Sequence, residues 1–194
     1  MKNARRIIVT VVACAAFPAL ALAAGPGGVS PGLAGQWLGP YAGAQFGFNN
    51  SSASGLDSEV GIGGGVLLGY NTFAPLSGLA QPVVLGGDFF GEFNGQEIHR
   101  AGITYGSNVF GVDLLVGYPT GLRGRILPFL KFGFGLLSAT GGLGGSEVSA
   151  RIGLGAEFRM NPQLGLVAQW MHQDADHITN DNFTLGINYH FRVY

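Results

Sequence analysis

The chain has 194 residues, a formal net charge of −1, 47 % hydrophobic residues and only 11 % charged residues. Its length suggests one domain, and its aromatic content of 11 % excludes a disordered chain. Charged residues make up about a quarter of an ordinary soluble protein, so this composition favours a surface that does not face water. The only basic cluster lies in the first six residues, which argues against a nucleic-acid partner. The 35 glycines follow no three-residue period, which excludes a collagen-like chain.

The N-terminal segment has the three parts of a secretory signal. Met1–Arg6 carries three basic residues, and an apolar run follows from Ile7 to Ala24. Ala21 and Ala23 supply the small residues at the −3 and −1 positions of a signal peptidase site. We therefore predict a signal peptide over residues 1–23, cleaved after Ala23.

Two other kinds of segment compete with a cleaved signal. The apolar run of about 18 residues is just long enough for a membrane anchor, but Pro18 and the many alanines favour cleavage. Val11–Cys14 loosely resembles a lipoprotein signal, but the apolar run continues for ten residues past Cys14. After cleavage at Ala23, seven basic residues face eleven acidic ones, a net charge of −4, and no cysteine remains for a disulfide.

The exported part alternates between apolar and polar residues in blocks of strand length. Residues 24–36, rich in glycine and proline, are predicted as a flexible lead, and residues 37–194 as one barrel domain. No stretch has the spacing of an amphipathic helix or 18 consecutive apolar residues. Blocks of 10 to 12 residues are separated by turn-forming clusters, and roughly 9–11 residues suffice for a tilted strand to cross a bilayer. Eight strands are predicted, at about 38–49, 61–71, 83–93, 107–118, 127–138, 148–159, 164–173 and 182–193.

The residue types of the two phases indicate which side faces inward. In a soluble barrel the apolar phase fills the interior, whereas in an outer-membrane barrel it faces lipid and the polar phase lines the lumen. The polar phase is rich in glycine, for example at Gly61, Gly63, Gly65 and Gly69. A narrow eight-stranded interior has little room for side chains, so these glycines favour the second arrangement. The predicted fold is all-β: a transmembrane, up-and-down, antiparallel barrel of eight strands.

Linkers and aromatic residues suggest how such a barrel is oriented. The linkers at 50–60, 94–106, 139–147 and 174–181 are predicted outside the cell, and the four-residue linker 160–163 in the periplasm. Aromatic residues near the strand ends are predicted to form two girdles. The periplasmic girdle would contain Trp37, Tyr41, Tyr70, Tyr118, Phe158 and Phe191, and the outer girdle Phe48, Phe93, Phe134, Trp170 and Phe183.

Trp37–Asn49 and Gly63–Asn71 resemble the first hairpin of small opacity-type, OmpA-like outer-membrane barrels. Gly186–Phe191 is similar to the closing G-x-x-Y-x-F strand of that family. The resemblance spans about residues 37–191. It implies a monomer surrounded by outer-membrane lipid and lipopolysaccharide, with periplasmic chaperones, the barrel-assembly machinery and an unidentified surface ligand as partners.

The resemblance also implies an assembly signal at Gly186, Tyr189 and Phe191. The family usually ends at this aromatic residue, but three residues follow here, so Tyr194 is an alternative terminal signal. The family shares no catalytic residues.

His172–Asp181 is the one polar segment that invites a chemical site. Its two imidazoles and three carboxylates have the donor types of a divalent-cation site, and a histidine beside an acid can serve as a base. The spacing matches neither an EF-hand loop nor H-E-x-x-H. A lipid-deacylating site needs a serine nucleophile next to a histidine. No serine lies within two residues of His172. We therefore expect a solvated acidic loop, and no catalytic residue, metal or cofactor.

Charged residues of the polar phase predict a network inside the barrel. Lys131 is expected to neutralise Asp88 and Asp113 in the middle to lower lumen. The remaining charges are expected towards the outer rim, at Glu92 and Arg151, and towards the periplasm, at Glu157, Arg159, His190 and Arg192. Paired charges in so narrow a barrel predict a plugged lumen, and a charge-lined conduction path is the alternative.

The predicted role is structural or interactive, in envelope integrity or adhesion-type binding. A narrow channel for small solutes and a lipid-modifying enzyme are the alternatives.

Overall fold

The structure, a computed structural model, describes residues 32–53, 59–95, 106–140, 145–175 and 178–191. Each strand pairs antiparallel with its neighbours in sequence, and the first pairs with the last, which closes a barrel. The strands are β1 (Gly39–Ala53), β2 (Glu59–Ala74), β3 (Val83–Gly95), β4 (Gly106–Gly117), β5 (Ile126–Thr140), β6 (Gly145–Arg159), β7 (Leu164–Ala175) and β8 (Ile178–His190). The predicted all-β, up-and-down barrel of eight strands is confirmed.

No helix among the described residues is long and apolar enough to cross a membrane.

The two ends of the barrel differ in how far the strands extend. We call the end where β1 begins and β8 ends the lower end, and the opposite end the upper end. At the upper end the strands run past the predicted blocks, since β1 continues to Ala53 and β5 to Thr140. Polar pairs such as Ser51 opposite Glu59 extend the hairpins there. The upper linkers are therefore shorter than predicted, because backbone pairing continues where apolar alternation has already stopped.

Side chains alternate between the two faces of the barrel wall, as its period of two requires. The outward face is apolar and exposed; on β1, Phe46 and Phe48 are 58 % and 57 % exposed. The inward face is largely polar and buried, and on the same strand it includes Gln45 and Asn49. This inverts the arrangement of a water-soluble barrel and matches that of a barrel in lipid.

The lower mouth of the barrel is filled by a segment that the sequence did not mark as ordered. Gly32–Trp37 forms a short 3-10 helix, which we call the N-terminal plug. The predicted flexible lead thus differs from the structure at residues 32–36. The aromatic girdle is also wrong at two positions, because Trp37 and Tyr41 are buried inside the barrel rather than placed on its outer wall. Apolar burial in the mouth accounts for the order of this glycine-rich segment.

Candidate functional site: the barrel lumen

The lowest layer of the lumen is apolar and surrounds the N-terminal plug. Trp37 is fully buried, and its Nε1 donates a hydrogen bond to the carbonyl of Gly124 at 3.0 Å. Gln36 Nε2 donates to the same carbonyl at 2.7 Å. The layer is completed by Ala34, Val84, Leu115, Leu127, Phe129 and Val167. The plug therefore closes the lower mouth with packed side chains and ties itself to the turn that precedes β5.

Above this layer, a lysine from β5 neutralises an aspartate from β3. Lys131 Nζ lies 2.7 Å from Asp88 Oδ2, and both side chains are at most 4 % exposed. The hydroxyl of Tyr41, on β1, donates to the same carboxylate oxygen at 2.9 Å. One buried carboxylate thus receives a cation and a phenol, so its charge is compensated where water is scarce.

An arginine on β6 joins two further carboxylates. Arg151 donates through both terminal nitrogens to Glu92, at 2.8 and 3.2 Å. Its Nε lies 3.2 Å from Asp113 Oδ1, an ion pair without hydrogen-bond alignment. The guanidinium carbon sits 3.7 Å from the centre of the Phe90 ring, in cation–π geometry. Gln45 and Asn182 also donate to Glu92. We call the five charged residues Arg151, Glu92, Asp113, Lys131 and Asp88 the central charge cluster.

The pairing inside the central charge cluster differs from the prediction. The carboxylate of Asp113 pairs with Arg151, whereas Lys131 pairs with Asp88. Asp88 and Asp113 are directly opposite in the register of β3 and β4. Two adjacent carboxylates repel each other, and one cation at each side relieves that repulsion better than a single shared lysine.

A second polar group lies lower in the lumen, around Glu157. Its carboxylate accepts from Asn188 Nδ2 at 2.7 Å and lies 2.6 Å from His190 Nε2. The His190 ring stacks on Tyr41, with 5.4 Å between ring centres. Arg159 donates to the carbonyl of Gln36 in the plug and to that of Pro162 after β6, both at 2.5 Å, and its guanidinium carbon lies 4.7 Å from the centre of the Trp37 ring. Arg159 therefore binds the plug and its backbone, a role that charge counting did not suggest.

Little free volume separates the plug from the charges above it. A cavity of about 10 Å³ lies between them, lined in part by Tyr41, Lys131, Glu157 and Gln169. That volume corresponds to about one water molecule.

The upper lumen is lined by uncharged amides and hydroxyls that the sequence analysis did not single out. Gln173 Nε2 donates to Ser149 Oγ at 2.7 Å, and Ser51 Oγ donates to Asn180 Oδ1 at 2.5 Å. Deeper in, Gln169 Nε2 donates to Gln45 Oε1 at 2.7 Å. All these residues lie on the inward phase of their strands, so the alternation carries the signal that could have found them.

The described charged side chains of the acidic segment lie outside the lumen. His172 Nδ1 is 2.9 Å from Asp181 Oδ1, and both side chains are about one-third exposed on the outward face. The ring stacks with Trp170, with 6.0 Å between ring centres. Asp174 accepts from the Thr179 hydroxyl at 3.0 Å. Within the described ranges, no three His, Cys, Asp or Glu side chains converge as metal ligands would.

The closing strand positions most of the implied assembly signal. Gly186 faces inward against β1, and Tyr189 and Phe191 face outward with their rings edge to face, 5.1 Å between centres. The amide of Phe191 donates to the carbonyl of Pro40 at 2.9 Å, which extends the β1–β8 seam. Tyr194 lies outside the described residues, as do Arg192, His177 and the cleavage residues Ala21 and Ala23.

Comparison with known proteins identifies relatives of this barrel. A family model described as an outer membrane protein beta-barrel domain matches residues 8–191. The comparison with curated proteins gives no match.

Three solved barrels superpose along most of the chain. Neisserial surface protein A is 15 % identical with a TM-score of 0.58, covering 78 % of this chain and 97 % of its own. Ail, the attachment invasion locus protein of Yersinia pestis, is 16 % identical with a TM-score of 0.52, covering 79 % and 99 %. The outer membrane enzyme PagL is 13 % identical with a TM-score of 0.52, covering 78 % and 99 %. At these identities the likeness shows a shared fold.

Proposed function

The chain belongs to the family of outer-membrane protein β-barrel domains and is located in the outer membrane, and from this premise we propose that it is a closed barrel with a structural or surface-interaction role. The lower end, where the barrel's first strand begins and its last strand ends, faces the periplasm in this proposal. The upper hairpins face the exterior. The barrel is held together by its lumen and presents its upper linkers to the surroundings.

The observation that carries this proposal is obstruction of the lumen at two depths. Trp37 fills the lower mouth, and the side chains of Arg151, Glu92 and Asp113 meet across the middle with at most 4 % exposure. A conduction path lined by charges needs those charges to face water. An eight-stranded barrel is just wide enough for side chains to fill it. The geometry therefore favours a filled interior over a narrow channel.

A surface-interaction role is supported by two of the similar structures. One is named a surface protein and the other an attachment invasion locus protein. The upper hairpins continue as paired strands past the outward-facing Phe48 of β1, with β1 and β2 paired up to Ser51. Rigid strands carrying exposed linkers are a common way to present a binding surface.

Closure is tested by conductance of the purified wild-type protein in planar bilayers and by swelling of proteoliposomes in a small sugar. A general porin serves as the positive control in both assays. We expect no stable open conductance and no swelling above that of empty liposomes. A stable ohmic conductance of the wild type, together with sugar-dependent swelling, would contradict the proposal.

The surface role is tested in a deletion strain complemented with wild type or with a chain whose residues 96–105 are replaced by glycine and serine. Permeability to a hydrophobic dye reports envelope integrity, and binding to abiotic and cellular surfaces reports interaction. We expect the wild type to restore at least one of these properties. The chain with the replaced segment should return dye permeability to the wild-type level but should not restore surface binding. If deletion changes neither property, this role is wrong.

Lipid modification is a second candidate function, favoured by the His172–Asp181 pair. A carboxylate that holds one ring nitrogen of a histidine leaves the other nitrogen available as a base, and this pair faces outward at the upper end. Among the described residues, however, no serine or threonine hydroxyl hydrogen-bonds to His172. Mass spectrometry of lipid A from strains carrying wild type or His172→Gln distinguishes the candidates. A mass difference between the two strains would establish an enzyme.

A further inference from the structure

The turn between β4 and β5 carries two arginines that project from the lower rim. Arg123 and Arg125 are both exposed. No ion pair or side-chain hydrogen bond from any described residue engages either guanidinium group. This distinguishes them from Arg151 and Arg159, which are buried and held by several contacts. The two arginines are therefore available to a partner outside the chain.

Exposed charge is segregated between the two ends of the barrel. At the upper end, the exposed or half-exposed charged side chains of the described residues are acidic: Glu147, Asp174 and Asp181. At the lower end they are Arg123 and Arg125, and the other two lower linkers contribute no exposed charge. The lower rim is thus positive even though the exported chain is acidic overall, and it attracts anions.

Arg123 also holds an unusual backbone conformation. Its φ angle of 59° lies in the left-handed region, between Gly121 at 74° and Gly124 at 66°. Glycine adopts this region freely, whereas a residue with a side chain seldom does. The turn is fixed by the plug, because Gln36 Nε2 donates to the carbonyls of both Arg123 and Gly124, at 3.0 and 2.7 Å. An arginine at a position that suits glycine points to a use for its side chain.

The height of the turn indicates which anion it meets. Ile126, the residue after Arg125, is the first outward-facing residue of β5 and is 39 % exposed. It lies opposite Phe158, which is 45 % exposed on the same apolar wall. The hydrocarbon-facing surface therefore begins next to the two arginines, which places their guanidinium groups at the level of the lipid headgroups.

We propose that Arg123 and Arg125 form a docking surface for anionic phospholipid headgroups of the periplasmic leaflet. The planar guanidinium group binds phosphate oxygens through two parallel hydrogen bonds. The negative potential of an anionic leaflet adds attraction for each basic residue near the surface. The plug fixes the turn from inside the barrel, so the binding surface is coupled to the segment that closes the lower mouth.

The test measures which lipids remain bound to the full mature barrel after reconstitution in vesicles of phosphatidylethanolamine with one-fifth phosphatidylglycerol. Native mass spectrometry counts the lipids that stay attached. We expect wild type to retain phosphatidylglycerol in excess of its share of the vesicle. Replacing both arginines by glutamine should lower its affinity about thirtyfold, and each single change about fivefold, the fold-change equivalent to ~1 kcal/mol for each basic residue at an anionic surface.

Two further variants separate lipid binding from folding. Arg123→Lys with Arg125→Lys keeps both charges and should retain most of the phosphatidylglycerol. Arg123→Gly should lose about fivefold in lipid affinity while its urea unfolding midpoint stays equal to or above that of wild type, because glycine suits the backbone. If the glutamine variant does not insert, the glycine and lysine variants decide the question.

Equal retention of phosphatidylglycerol by wild type and Arg123→Gly would overturn the proposal. So would binding of wild type to isolated peptidoglycan that the glutamine variant loses while its phosphatidylglycerol retention is unchanged. The assay is independent of conductance, so a conducting barrel that retains the lipid would contradict closure and leave this inference standing.

Discussion

At the scale of single residues, the register of β3 and β4 places two carboxylates side by side, because Asp88 lies directly opposite Asp113. Two ionised carboxylates in neighbouring positions are stable in a narrow lumen only if each has its own cation. Lys131 and Arg151 supply those cations from β5 and β6, and Tyr41 supplies a further hydrogen bond. Breaking a buried pair by removing one partner costs about 3–5 kcal/mol.

Arg151 has the largest predicted effect of any single lumen charge. Arg151→Ala leaves both Glu92 and Asp113 without a cation. Breaking one buried pair costs about 3–5 kcal/mol, and this variant should lower the free energy of unfolding by more than that. Adding Glu92→Gln to Arg151→Ala should recover part of the loss. Urea unfolding in liposomes measures all three proteins. If the free energy of unfolding of Arg151→Ala equals that of wild type, water already compensates these carboxylates.

At the scale of elements, strand positions follow from the sequence better than strand ends or contacts do. Lipid outside and a polar lumen inside impose a period of two, so each strand appeared as an alternating block. At the upper ends, as in residues 50–53, the alternation fades although pairing continues. The partner of Asp113 depended on the register and on side-chain reach, which one sequence does not encode locally. The sequence does not predict the plug, because its glycines are typical of a linker and only Trp37 and Leu33 indicate burial.

The plug provides a prediction about a short element. Trp37→Ala removes a fully buried indole and should cost about 3–5 kcal/mol of unfolding free energy. Trp37→Phe keeps most of the packing and loses the hydrogen bond to Gly124, so it should cost less, on the order of 1 kcal/mol. Unfolding in liposomes, followed by intrinsic fluorescence of Trp170 and by circular dichroism, compares the two. Equal effects of both variants would argue against a packed plug.

Because Gly69 of β2 has no side chain, the ring of Tyr41 can occupy the space above it. A Cβ atom at this position would collide with the ring of Tyr41, whose hydroxyl donates to Asp88 and whose ring stacks on His190. Gly69→Ala should therefore displace Tyr41 and destabilise the barrel by about 1–3 kcal/mol, as overpacking does. Gly95→Ala, where the nearest atom is at an ordinary 3.4 Å, is the matched control. Equal unfolding midpoints for the two variants would contradict this packing.

At the scale of the whole molecule, the sheet closes on itself, so each of the eight described strands is paired with two neighbours. A closed barrel keeps its backbone hydrogen bonds in detergent until heat opens it. We expect the purified mature protein to migrate differently on SDS gels before and after boiling. Circular dichroism of the unboiled sample should report mainly strand. Identical migration of both samples, together with a helical spectrum, would contradict the fold.

The central claim is that the lumen charges hold a closed barrel together instead of conducting ions, and urea unfolding of Lys131→Ala in liposomes tests it most directly. The claim predicts a loss of about 3–5 kcal/mol, because Asp88 loses its cation in a buried site. Adding Asp88→Asn should recover part of that loss, whereas adding Asp113→Asn, whose carboxylate pairs with Arg151, should recover less. An unfolding midpoint of Lys131→Ala equal to that of wild type, with an altered ion preference in bilayers, would contradict the claim.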